Sequence, residues 1–266
     1  MKLSLQSAAA ALLAALLITG CGKSEQDNHI KVGAIAGSEA QVVEVAKKVA
    51  KEKYGLEVEV VTFSDFATPN VALNDGSIDV NAFQHKPYLD SQIKDRGFKL
   101  VSVGNTFVYP IAGYSKKIKS LSDLKAGAQV AVPNDPTNLG RSLLLLQKQG
   151  LIKLKPDVGL NATVLDIVEN TKQLKVVELE AAQLPRSLED VDLAIINTVY
   201  ASQINLLPNR DGLFVEDKES PYVNLIVARE DNQNSQKVKQ FVQAYQSEEV
   251  YKAAVNLFNG GVIKGW

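Results

Sequence analysis

The chain has 266 residues, of which 29 are basic and 30 acidic, with a formal net charge of −1, 45% apolar and 22% charged residues. That balance belongs to a globular body long enough for one large domain or two of ordinary size. It excludes the basic excess that nucleic-acid binding needs, and a single Cys excludes a disulfide within the chain.

Met1-Lys2 and the apolar run from Ala8 to Ile18 lead into Thr19-Gly20-Cys21. A basic start, a short apolar stretch and a small-residue boundary make residues 1–20 an export signal. The run is too short to span a bilayer. Thr19 and Gly20 before Cys21 resemble a lipobox, in which the thiol is lipidated and the chain is cut before it; the alternative is a core thiol behind an ordinary signal. A lipidated Cys21 holds the body at a membrane surface. Residues 21–29 (CGKSEQDNH) are small and polar and read as a tether that includes His29.

The body alternates strand and helix. Lys31 to Ile35 is a strand closed by Gly37, and Ser38 is the expected N-cap of a helix. Val42, Val43, Val45, Ala46, Val49 and Ala50 give that helix one broad apolar face, and Tyr54-Gly55 stops it. Leu56 to Phe63 alternates as a strand, a helix closes at Gly76, and Ile78 to Val80 is the next strand. Lys99 to Val103 and Phe107 to Tyr114 are further strands. The alternation predicts a mostly parallel sheet covered on both faces. A second series starts near Ser120: a short helix at Leu121 to Leu124, a strand at Gln129 to Val132, a turn at Pro133 to Asn138, and a helix from near Thr137 to Gln149. Strands follow at Lys175 to Leu179, Asp192 to Ile196 and Tyr222 to Arg229. Ser235 to Phe258 reads as one helix. Two such α/β units leave a cleft between them, where ligands bind at strand carboxyl ends.

Common catalytic systems are absent from the pattern. His occurs only at 29 and 85, and no GxSxG or HExxH motif is present. Gly33 to Ser38 lacks the Lys of a phosphate loop. Two segments and two single residues remain. Phe83-Gln84-His85 places an aromatic, an amide and an imidazole after a strand, which suits either a pocket for a small amphipathic molecule or a turn with a core Phe. Pro133 to Arg141 runs from a strand into a helix whose first turn carries Arg141. The helix N-terminus and a guanidinium together favour a carboxylate, unless Arg141 is simply solvated. Asn197 and Asn224 end or interrupt apolar strands, and their amides must be met by a ligand or by neighbouring backbone.

The lipobox start, FSDFATPNVALNDGSIDVNAFQHKPYL, SLSDLKAGAQVAVPNDPTNLGRSLLLL, DLAIINTVYA and YVNLIVARED together resemble the NlpA lipoprotein family over essentially the whole mature chain. The resemblance implies an α/β, two-lobed periplasmic binding-protein fold of the second type with a ligand cleft between the lobes. Lobe 1 is then residues 30–110 plus 224–266, and lobe 2 residues 111–223. It implies a non-enzymatic protein without cofactor or metal, which captures methionine, L- or D-, for an ABC permease and its ATPase subunit. Phe66, Phe83 and Phe107 are expected to enclose the thioether, where sulfur against aromatic rings is favourable. His85 and Tyr88 add polar edges. Arg141, helped by Asn138, takes the α-carboxylate, and Asn197 and Asn224 hold the ammonium and carboxylate. Gly22 after the lipidated Cys points by sorting rules to the outer membrane, whereas a permease partner favours the inner one, and the partner weighs more. The competing readings are a binding protein for another small amino acid or short peptide, a periplasmic enzyme on a similar fold, and a lipoprotein with a purely structural surface.

Overall fold

The computed structural model describes residues 28–217 and 219–266; the export signal, Cys21 and residues 22–27 of the expected tether lie outside them. His29 is not tether. It opens strand β1 (His29–Ile35) and is in register with Glu57. The chain continues through α1 (Ser38–Tyr54), β2 (Glu57–Phe63), α2 (Thr68–Asn74), β3 (Val80–His85), α3 (Lys86–Arg96) and β4 (Leu100–Val108). Ser38 is the first residue of α1 and not its cap. Gly37, at φ 105, makes the turn into the helix without a side-chain cap. Such a φ is open to glycine and costly for other residues.

Beyond β4 come β5 (Ala112–Tyr114), β6 (Gln129–Pro133), α4 (Pro136–Lys148), β7 (Lys153–Leu154), β8 (Ile167–Glu169) and β9 (Lys175–Leu179). They are followed by α5 (Leu184–Ser187), β10 (Leu193–Ile196), α6 (Thr198–Gln203), α7 (Pro208–Asp211) and β11 (Phe214–Val215). The chain ends with β12 (Val223–Arg229), α8 (Gln236–Tyr245), α9 (Glu248–Leu257) and β13 (Ile263–Lys264). The expected single helix from Ser235 to Phe258 is therefore two. Ser247 breaks it, because its hydroxyl accepts the Val250 N–H and caps α9, with Glu248 and Glu249 against the positive end of the new dipole.

Two sheets result. One has the order β13-β4-β12-β3-β1-β2 and draws its strands from both ends of the described chain; the other, β11-β5-β10-β6-β9, comes from its middle. The expectation of mostly parallel pairing is corrected. β1 runs parallel to β2 and β3, but β12 lies antiparallel between β3 and β4, and β13 is antiparallel to β4. In the second sheet β6 pairs parallel with β9 and β10, while β5 and β11 are antiparallel. A strand that returns from the other sheet enters from the opposite end, so each crossing adds antiparallel pairs to a doubly wound core.

Each sheet has its own core. In the first, the apolar face of α1 (Val42, Val43, Ala46, Ala50) packs with Val238, Phe241, Val250 and Phe258 over β1 and β3. In the second, Leu139, Leu143 and Leu146 of α4 cover Val130, Val132, Leu193 and Ile195. A third cluster joins Ile35, Phe83 and Tyr88 of the first half to Ala131, Ile196 and Tyr200 of the second. That cluster lies where the two sheets face one another. Polar contacts cross there too. Gln203 Nε2 donates to the Ala36 carbonyl at 2.7 Å, and the Tyr200 hydroxyl to the Ser64 carbonyl at 3.3 Å.

Candidate functional site

A cavity lies between the sheets. It is lined by Phe66, Phe83, Gln84, His85 and Tyr88 at one end and by Glu39, Tyr109, Asn138, Arg141, Asn197 and Asn224 toward the other. Eight of the nine residues expected at the site therefore meet in one cavity. Phe107 does not. It is fully buried in the core beneath α8 and α9, its ring 5.0 Å from Trp266 and 6.0 Å from Tyr245.

The apolar end is built by three rings. Phe66 and Phe83 lie 6.0 Å apart, and Tyr88 closes the corner at 6.3 Å from Phe66 and 6.0 Å from Phe83. Tyr200 backs Phe66 at 4.9 Å. The Tyr88 hydroxyl donates to the Phe66 carbonyl at 2.8 Å, so this tyrosine pins the wall and offers the cavity mainly its ring. Phe83, Gln84 and His85 are the last residues of β3 itself, not a turn after it. Side chains alternate along a strand. A register shift against β12 at Phe83 breaks that alternation, and the Gln84 amide lies with Asn81, three residues back, in a buried amide network, donating to Asn70 Oδ1 at 2.6 Å and Asn81 Oδ1 at 3.0 Å.

His85 has two tasks in one ring. Its Nδ1 accepts the Tyr88 N–H at 3.1 Å and so caps α3. The ring proton therefore sits on Nε2, which faces Asn138 Oδ1 at 3.3 Å. Burial, and then the nearby Arg141 charge, push its pKa down to about 3, so the imidazole is neutral at physiological pH.

The helix N-terminus differs from expectation. α4 begins at Pro136, capped by Asp135, whose Oδ1 accepts the Asn138 N–H at 3.0 Å and the Thr137 hydroxyl at 3.0 Å. An acid already fills that end, which disfavours a second anion there. Arg141 stands in the second turn of α4, not the first. Asn138 is fully engaged: Nδ2 donates to Asp135 and Oδ1 accepts Asn197 Nδ2 at 2.9 Å as well as His85. It orients its neighbours and has little left for a ligand.

Arg141 is 3% exposed and already paired. Its Nε donates to Glu216 Oε1 at 2.8 Å, while Nη2 donates to Glu216 Oε2 and, at 3.0 Å, to the Tyr109 carbonyl. The Tyr222 ring lies 4.3 Å from the guanidinium carbon. The two-pronged edge is thus spent on Glu216. Among the described residues Nη1 makes no hydrogen bond, and it is the donor left for a ligand. Sequence reasoning missed Glu216, which lies in the second crossing, 75 residues from its partner.

It also missed Glu39. This residue is 2% exposed in the first turn of α1. Asn224 Nδ2 donates to its Oε1 at 3.3 Å and to the Phe83 carbonyl at 2.9 Å. Glu39 Oε2 and Asn197 Oδ1 are buried without a hydrogen-bond partner among the described residues, and both residues line the cavity. Leaving such atoms unmet is costly. The cavity thus offers an aromatic end, one free guanidinium edge and two unmet acceptors, a layout suited to a small zwitterion with an apolar tail. No group of His, Cys, Asp and Glu suited to a metal occurs among the described residues.

Two sheets with crossing strands and a lined cavity between them define the class of two-lobed periplasmic substrate-binding proteins. Residues 30–266 match the family model described as NlpA lipoprotein. The chain is 71% identical over 263 residues to the D-methionine-binding lipoprotein MetQ of Escherichia coli, covering 98% of this chain and 97% of that one. Its fold superposes on a crystal structure of the methionine-binding protein MetQ with a TM-score of 0.90 at 74% identity, covering 90% and 99% of the two chains. A nutrient-binding protein from Burkholderia cenocepacia, solved bound to methionine, gives a TM-score of 0.87 at 54% identity, covering 89% and 100%. The chain belongs to the NlpA lipoprotein family.

Proposed function

We propose that this protein is the substrate-binding lipoprotein of an ABC importer, which captures methionine between lobes formed by residues 30–110 with 224–266 and by residues 111–223. The observation that carries the reading is the one cavity with rings at one end and paired donor and acceptor atoms at the other. Phe66, Phe83 and the Tyr88 ring take the thioether. Arg141 Nη1 takes the α-carboxylate. Asn224 and Asn197 hold the amino-acid moiety, with His85 and Asn138 keeping them in place. The similarity to methionine-binding relatives supports the same ligand. Such a protein hands its ligand to a permease and ATPase and performs no chemistry on it.

After unfolding and refolding to remove carried-over ligand, methionine at ten to a hundred times its Kd is expected to stabilise the fold by roughly 1.4–2.7 kcal/mol. A thermal-shift screen of the twenty amino acids checks this. A shift with another amino acid and none with methionine moves the reading to that ligand.

Anchoring belongs to the same proposal. Cys21 carries the acyl chains that hold the protein at the inner membrane beside its permease. No described helix is long and apolar enough to cross a membrane. Cys21→Ala is expected to abolish acyl labelling and release the protein from the membrane fraction; labelling that survives the change removes Cys21 from the role.

A further inference from the structure

We propose that Glu39 is the counter-ion of the ligand's α-ammonium group, and that it gives up a proton to solvent when the ligand enters. The inference rests on the amino-acid-binding reading above and adds the residue that receives the positive end. Glu39 is the one acidic side chain lining the cavity. Its Oε1 is lightly held by Asn224, and its Oε2 is buried and unpartnered. Asn197 Oδ1, also unpartnered, offers a second acceptor in the same cavity. A primary ammonium has three N–H donors and no acceptor, which suits this set of unmet acceptors.

The placement also splits the ligand between the sheets. Glu39 and Asn224 stand on elements of the first sheet and its helices, Arg141 and Asn197 on those of the second. A zwitterion held by Glu39 at one end and by Arg141 Nη1 at the other therefore ties the two halves together. A ligand lacking either charge closes the cleft less well.

The proton balance follows from burial. Taken out of water, Glu39 is pushed up to about 8, so near neutrality its carboxyl keeps its proton while the cavity lacks a cation. The ligand arrives as a zwitterion of zero net charge. Its ammonium favours the carboxylate, the Glu39 O–H bond breaks, the proton passes to solvent, and an ion pair forms. The groups that face Glu39 are Tyr109 from the crossing after β4, Tyr245 from α8, Tyr200 from α6 and Asn224 from β12, with Arg141 and His85 across the cavity. The tyrosines are all pushed above their ordinary range by burial, and His85 is held near 3. Glu39 is thus the group there that changes charge between pH 5 and 9. Because binding expels a proton, affinity should rise with pH up to about 8, and fall at more alkaline pH where the ligand's own ammonium loses its proton.

The test is calorimetry of the refolded mature protein with L-methionine at pH 6.5, in two buffers of different ionisation enthalpy. Wild type is expected to release about one proton per ligand and Glu39→Gln none. Glu39→Gln should also bind methionine roughly ten- to a hundredfold more weakly. It should lose little toward 4-(methylthio)butanoate, which lacks the ammonium. Wild type that releases no proton, or a Glu39→Gln protein with unchanged methionine affinity, overturns the proposal. The wild-type proton count stands alone if the variant fails to fold. If wild type binds no methionine, the same titration is run with the amino acid found in the screen; any α-amino acid carries the ammonium, so the two readings fail separately.

Discussion

Arg141→Ala is expected to lower the fold's stability by about 3–5 kcal/mol and to abolish most discrimination for the ligand's carboxylate. The stability loss comes from Glu216, whose carboxylate is 13% exposed and would remain near-buried without its cation. The Tyr109 carbonyl loses its donor at the same time. The binding loss comes from Nη1, the free edge of the guanidinium. Arg141→Lys should recover little of either, because one ammonium cannot bond both Glu216 oxygens and still reach the cavity. Urea unfolding of the refolded protein measures the first effect. Titration with methionine and with methioninol, which lacks the carboxylate, measures the second. Wild type should bind methioninol far more weakly than methionine, and Arg141→Ala should show much less difference. A variant that still discriminates as wild type does would take the carboxylate role away from Arg141.

Gly140→Ala is expected to cost about 1–3 kcal/mol of stability and to weaken methionine binding without touching the ligand. Gly140 lies between Leu139 and Arg141 on α4, where the helix presses on the turn of residues 159–161. A Cβ there would stand 2.1 Å from the Leu160 carbonyl oxygen and 3.0 Å from the Ala162 nitrogen. Both are backbone atoms, so a rotamer change cannot relieve the clash. Either the turn moves out or α4 moves in, and α4 carries Asn138 and Arg141. Denaturation together with methionine affinity reads the effect; a Gly140→Ala protein with wild-type values for both would show that the turn yields freely.

Much of this could be read from residue order, and the misreadings have physical causes. Period-two alternation placed Val58 inside and Glu57 and Glu59 outside on β2, and the apolar stripe of α1 was legible at helical spacing. The same spacing carried an unread signal: Glu39 is in phase with Val42, Val43 and Ala46, so an acid sat on the buried face. Only the family resemblance points Phe107 to the pocket. Its true neighbours, Tyr245, Tyr251 and Trp266, come from the last 22 residues, and no local pattern reveals them. The pairing of Arg141 with Glu216 is hidden for the same reason. The capping of α4 by Asp135 was legible, since Asp followed by Pro is a standard helix opening.

The position of β12 bears on the order in which the molecule can be assembled. Residues 223–229 form a central strand of the six-stranded sheet, hydrogen-bonded to β3 on one side and β4 on the other. The amino-terminal strands, although made first, have a gap at the middle of their sheet until nearly the whole chain has been supplied. Residues 112–215, by contrast, provide every strand of the five-stranded sheet without interruption. A chain emerging from its amino end can therefore complete its middle before its beginning, and the half carrying Glu39, Phe83 and His85 stays unfinished until the ribosome or translocation channel has released residue 229.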